Sequence, residues 1–272
     1  METLRYLDTR GVDSSRPPFT GAVLKGLASS GGLFVPETLP SISLDELLAL
    51  GSMPYRERAA DIYRRFAVDI DSERIDELMA GAYGDNFDDE RVAPVVEVAG
   101  NIHVLELWHG PTSAFKDMAL QCMPRFFSES ISIARTRGGA EGSVEAQDDY
   151  LILVATSGDT GKAALDGFAN RNHTGIVVFY PADGVSDIQR LQMVTQHGDN
   201  VGVFGVRGNF DDCQSAVKAA FTDPEFGAEL HAKHGVRLSS ANSINWGRLL
   251  PQVVYYASAY AARGGAHGMK GE

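Results

Sequence analysis

The chain has 272 residues, 44 % of them hydrophobic and 22 % charged, with a formal net charge of −12. That length supports a sizeable core in one large or two modest domains. The acidic balance argues against a nucleic-acid or anionic-membrane partner, since both need a basic patch. Two cysteines, Cys122 and Cys213, argue against a disulfide framework and for a reducing, cytoplasmic setting. No apolar run reaches the length of a membrane span, and METLRYLDTRGVDSS lacks the apolar core of a signal peptide.

Residues 1–40 are rich in turns and end in a short apolar run, Leu33 to Val35, closed by Pro36. Three helices are predicted next, at 43–50, 54–68 and 72–83, from apolar spacing near 3.6 and from start signals: Ser43, Pro54 and Ser72. Residues 1–90 therefore read as a helical N-terminal subdomain. From about residue 95 the pattern becomes βα. Strands are predicted at 102–108, 150–156, 175–181 and 200–206. Helices are predicted at 115–135, 161–170, 185–198, 210–221, 224–234 and 244–262. Short apolar strands alternating with helices define a parallel sheet buried on both faces. Residues 137–149 read as a mobile acidic loop, and the Gly-rich tail from Ala262 as a linker.

Ligands of open parallel sheets bind beyond the carboxyl ends of the strands, which directs attention to three turns: HGPTSAFK, TSGDTGK and VRGN. TSGDTGK (156–162) is not a P-loop, because Thr156 stands where the first glycine belongs and Ala163 where a Ser or Thr would bind magnesium. It still opens a helix, with Asp159 or Thr160 as the expected N-cap. GVFGVRGN is not a dinucleotide fingerprint. FDDCQ begins a helix with aspartates in its first turn. His103 and His109 find no third ligand at a diagnostic spacing, so no metal site is expected; His173, His197, His231 and His234 read as surface residues. Lys116 is the unusual residue. A cation at the start of a long helix opposes the macrodipole, and burial behind Phe115 would also disfavour its charged form. A neutral amine is what Schiff-base chemistry requires. An ordinary exposed lysine is the alternative.

HGPTSAFKDMALQ, ATSGDTGKAA, SDIQRLQM, GNFDDCQ and NSINWGRLLPQVVYY follow one another here in the order seen in threonine synthase, and DTRG and GLASSGGLFVPE resemble that family's opening. The resemblance covers nearly the whole chain. It implies a parallel-sheet, three-layer αβα fold of the pyridoxal-phosphate (PLP) fold type II, with residues 91–272 as an incomplete catalytic domain. It implies Lys116 as the lysine that binds the PLP aldehyde, with Phe115 and Asp159 beside the cofactor. Thr156, Ser157, Thr160, Asn245 and Arg248 would face the substrate, with Asn242, Ser243 and Lys162 as lesser candidates; Arg248 suits a phosphate. The implied reaction converts O-phospho-L-homoserine and water to L-threonine and phosphate, with Lys116 moving the α-proton. The family's later SGNFG-type turn, which holds the cofactor phosphate, would lie past Glu272. The chain is therefore expected to be the N-terminal portion of a longer enzyme, monomeric or homodimeric, and alone to bind PLP weakly without turnover. Two other readings stand beside this one: a phospholyase releasing 2-oxobutyrate from the same substrate, and a non-catalytic module.

Overall fold

The structure is a computed structural model and describes residues 4–141 and 148–267. Its centre is a four-stranded parallel sheet of β5 (Asp149–Ala155), β6 (Thr174–Pro181), β7 (Val201–Val206) and β8 (Val236–Ser239), in the order β7-β6-β5-β8. All pairs are parallel, so the four carboxyl ends share one edge. The reason lies in the β5 sequence YLILVA. Ile152 and Val154 point into the large core, while Leu153 and Ala155 point to the other face, against Cys213 and Val217. A strand apolar on both faces can be satisfied only by helices above and below it. Helices α6 (Met123–Glu141) and α7 (Asp159–Phe168) cover the first face, where Phe127 meets Tyr150 and Phe168 edge-on. Helix α9 (Phe210–Thr222) covers the other.

The N-terminal region adds a hairpin, β1 (Tyr6–Asp8) with β2 (Phe34–Pro36), and helices α1 (Phe19–Lys25), α2 (Leu44–Ala49), α3 (Tyr55–Phe66) and α4 (Ser72–Ala82). Its aromatic residues join the same buried cluster as the sheet: Phe19 packs on Phe126 of α6, with ring centroids 6.0 Å apart, and on Tyr63. Each such ring contributes about 1.5–3 kcal/mol by burial. Ser43 caps α2 in a full capping box with Glu46, as its spacing predicts. The serine expected to cap α4 does not: Asp71 is the N-cap residue and Ser72 the first helical one.

Four further expectations are corrected. The predicted strand at 102–108 is β4 (Ile102–Leu105), and it lies outside the parallel sheet. It pairs antiparallel with β3 (Val95–Ala99), with Gly100 at φ 56° in the connecting turn. The long helix at 115–135 is broken into α5 (Asp117–Leu120) and α6. Pro124 explains the break, since it has no N–H to give the Leu120 carbonyl and its ring crowds that position. The loop at 137–149 is helical to Glu141 and begins β5 at Asp149, while 142–147 lie outside the described residues. Helices α8 (Asp187–Val194) and α10 (Pro224–His234) fall within their predicted ranges, or match them. Strand β8 was not predicted, and α11 (Trp246–His267) continues into the supposed linker. Among the described residues no helix is long and apolar enough to cross a membrane.

Candidate functional site

The site is assembled where α5 and α7 meet at the carboxyl edge of β5. Their approach depends on Gly167. A Cβ there would lie 1.9 Å from the Leu120 carbonyl oxygen, so only glycine lets α7 lie against the broken end of α5. The turn leading into α5 is equally tight. Asp117 is fully buried and accepts from Thr112 N (2.8 Å) and Thr112 Oγ1 (2.6 Å). Burial raises the Asp117 carboxyl above its usual range, against those two hydrogen bonds. Gly110 makes room for it, since a Cβ there would fall 2.5 Å from Asp117 Cβ. Ser113 takes the left-handed conformation, φ 55°. This frame presents Lys116 at the N-cap of α5.

The Lys116 amine lies 3.4 Å from Asp159 Oδ2 and 4.4 Å from the Phe115 ring centroid. Phe115 is itself 48 % exposed, so it does not bury the lysine; it offers its face to the amine. Nor does Lys116 head a long helix, and the dipole of a four-residue turn is small. Both arguments expected from the sequence for this lysine are thus replaced by a direct contact with a carboxylate and an aromatic face.

Asp159 is the first residue of α7. The N-cap is Gly158, at φ 143°, rather than Asp159 or Thr160. The turn is organised by Thr156, which is buried and whose Oγ1 accepts from Gly158 N (3.0 Å) and Gly161 N (2.9 Å). Ser157 is exposed and Thr160 half-buried, with neither hydroxyl bonded among the described residues. The residue that sequence reasoning missed is Gln189 of α8. Its Nε2 donates to Asp159 Oδ1 at 2.8 Å. That hydrogen bond, together with Lys116, lowers the Asp159 carboxyl below its ordinary value despite partial desolvation. The spacing Ser186-x-x-Gln189 signals only the capping box, which forms; nothing in it announces the contact with Asp159.

The segment before α11 lies deeper. Asn245 is fully buried: Nδ2 donates to Val23 O (2.8 Å) and Ser240 O (3.3 Å), and Oδ1 accepts from Gly247 N (2.9 Å). Arg248 is 3 % exposed, and its Nε has no partner among the described residues. Burial pulls its guanidinium down to about 10, against Tyr255 and Asp117. A buried arginine nitrogen without an acceptor is costly, and an anion would relieve it. Asn242 also leaves its Oδ1 unpartnered. Lys162 is committed to Gln196 and lies 3.8 Å from Asp166. The structure therefore brings Lys116, Phe115 and Asp159 into contact, with Thr156, Ser157 and Thr160 on the same turn. Asn245 and Arg248 are held in the layer beneath α5. His109 is bracketed by Asp88 (2.6 Å) and Glu106 (2.8 Å), which ties the turn before Lys116 to the loop at Asp88.

With this geometry in view, comparison with known proteins is informative. The fold matches the solved structure of the PLP-bound threonine synthase from Brucella melitensis with a TM-score of 0.82 and 38 % identity, covering 96 % of this chain and 52 % of that one. The class is therefore the α/β parallel-sheet fold of PLP-dependent enzymes. Among curated relatives, threonine synthase from Pseudomonas aeruginosa is 40 % identical over 268 residues, 97 % of this chain and 52 % of that protein. Threonine synthase-like 1 from Homo sapiens is 45 % identical over 250 residues, 89 % of this chain and 32 % of that protein. The family model described as the threonine synthase N terminus matches residues 5–83. The chain thus carries the threonine synthase N-terminal domain and, along almost its whole length, the N-terminal portion of the threonine synthase fold. It spans about half the length of the threonine synthases it matches, and less of threonine synthase-like 1.

Proposed function

We propose that this chain supplies the lysine-bearing portion of a cytoplasmic threonine synthase, which converts O-phospho-L-homoserine and water to L-threonine and phosphate with PLP. The observation that carries the reading is the Lys116 amine, set at the carboxyl edge of the sheet within 3.4 Å of Asp159. The residues present fit the aldehyde end of the cofactor: a reachable amine, an exposed aromatic face at Phe115 and a glycine turn opposite. Lys116 would hold PLP through Nζ, with Phe115 and Asp159 at its sides. When bound, PLP supplies the electron sink for charge that develops at the substrate Cα. Lys116 Nζ, once free of it, takes the α-proton and returns one. The Ser157 and Thr160 hydroxyls and the N–H groups opening α7 suit the substrate carboxylate, and Thr156 holds those donors in place. The orphaned Arg248 Nε suits the phosphate, with Asn245 fixing the backbone from which Arg248 projects.

Because the chain spans about half of these relatives, the isolated polypeptide is expected to bind PLP weakly and to need the rest of the fold for turnover. A second reading, a phospholyase that releases 2-oxobutyrate from the same substrate, uses the same Lys116 and TSGDTG turn, and only the product separates the two. The test begins with PLP titrated into the purified chain and into Lys116→Ala. A visible band present only in the wild type, with borohydride reduction fixing the label on Lys116, is the expected result; no label on Lys116 either here or in a chain extended to the relatives' full length overturns the cofactor reading. Incubation with O-phospho-L-homoserine, in a chain extended to the relatives' full length, then separates threonine from 2-oxobutyrate.

A further inference from the structure

Helix α8 stands beside the site, and Gln189 is its third residue. The Gln189 amide is divided between two tasks. Oε1 accepts from Ser186 N at 3.2 Å and closes the capping box. Nε2 donates to Asp159 Oδ1 at 2.8 Å, while the other Asp159 oxygen meets Lys116 at 3.4 Å. Three side chains on three elements are thus joined in series, from α8 through α7 to the Lys116 turn. Gly158 gives Gln189 its seat. A Cβ at 158 would lie 2.4 Å from Gln189 Cδ, and φ 143° is closed to residues with side chains.

We propose that Gln189 is a positioning residue that locks the Asp159 carboxylate, so that its second oxygen docks the Lys116 amine whenever the lysine is not joined to cofactor. The inference rests on the reading of Lys116 as the cofactor lysine and adds to it. The Asp159 side chain is 47 % exposed, so without a second anchor it would be free to turn to solvent. Gln189 supplies that anchor from a helix cap that is itself fixed. No other carboxylate competes for Lys116 among the described residues. Asp117 turns inward to Thr112, and Asp166 accepts from Gln121 Nε2 at 2.7 Å and lies 3.8 Å from Lys162.

The test uses the chain without cofactor. Trace acetylation with acetic anhydride is followed by mass spectrometry at Lys116, with exposed Lys218 as the internal reference. Gln189→Met removes the amide at nearly constant length. It should raise the Lys116 rate about threefold, towards the Asp159→Asn value, as expected for loss of one partly exposed ion pair. Gln189→Glu keeps the capping acceptor but exchanges the donor for a second negative charge beside Asp159. It should slow Lys116 below the wild-type rate. Simple loosening of α8 would not move the two variants in opposite directions. A Gln189→Met rate equal to wild type overturns the proposal, whatever Asp159→Asn does. Because no PLP takes part, this outcome is independent of the labelling test: failure to label Lys116 in the extended chain would sink the cofactor reading and leave the clamp standing, and the reverse holds equally.

Discussion

Replacing Thr156 with valine keeps the shape of a buried residue and deletes one oxygen. That oxygen accepts from Gly158 N at 3.0 Å and from Gly161 N at 2.9 Å. Gly161 N retains a second acceptor, the Gly158 carbonyl at 3.1 Å. Gly158 N has no such reserve among the described residues, and it is buried. Leaving one buried backbone donor unpaired costs about 1–3 kcal/mol, and the weakened second bond adds to it. The expected loss is about 2 kcal/mol, a fall in melting temperature of roughly 4–8 °C for a chain of this size. Thr156→Ser keeps the oxygen and loses only a methyl, about 0.8 kcal/mol. Thermal unfolding by circular dichroism, with urea midpoints alongside, measures both. If valine proves no worse than serine, the hydroxyl does not organise the turn, and the account of how Asp159 is presented to Lys116 fails with it.

Gly167→Ala should cost about 3 kcal/mol or abolish soluble expression, since its Cβ would meet the Leu120 carbonyl at 1.9 Å and backbone cannot yield cheaply; a urea midpoint near wild type would refute the close approach of α5 and α7. Asn245→Ala should lose about 3 kcal/mol, because Val23 O and Gly247 N are left buried and unpaired, and chemical denaturation reads the loss directly. His109 gives a pH signature. Desolvation acts to lower its pKa, but Glu106 and Asp88 outweigh it and hold the folded-state value above the ordinary 6.5. Its stabilisation is therefore fully present below 6.5 and lost as pH rises through the folded value. The melting-temperature gap between wild type and His109→Gln should be widest in acid and close in alkali; a gap that widens with pH would show the sign to be wrong.

Much of the architecture was legible because its cause is local. YLILVA declares a strand buried on both faces by being apolar at every position, whatever surrounds it. Ser43-x-x-Glu46 and Asn209-x-x-Asp212 declare helix starts through hydrogen bonds that close within four residues. The broken helix at Gln121 was also readable, since Pro124 stands in the sequence. It was missed because the apolar periodicity on either side outweighed one residue. Strands β3 and β8 were not readable in the same way. Val95–Ala99 is largely exposed, and β8 is four residues whose pairing with β5 exists only once the sheet does.

The site divides along the same line. By itself the amino-acid order determined the three turns at the strand ends, the lysine that stands at one of them, and the threonine synthase pattern in which all of them fall. Those are properties of neighbours along the chain, and short-range sterics and hydrogen bonding settle them. Only the tertiary structure decided what Lys116 touches. Asp159 is 43 residues away in sequence, and Gln189 is a further 30. Their meeting depends on Gly167 letting two helices approach and Gly158 leaving room for an amide, and no periodicity or spacing encodes such a distance. The same holds for Arg248, whose Nε is buried without a partner among the described residues because α11 packs against α5, and not through any feature of the residues beside it.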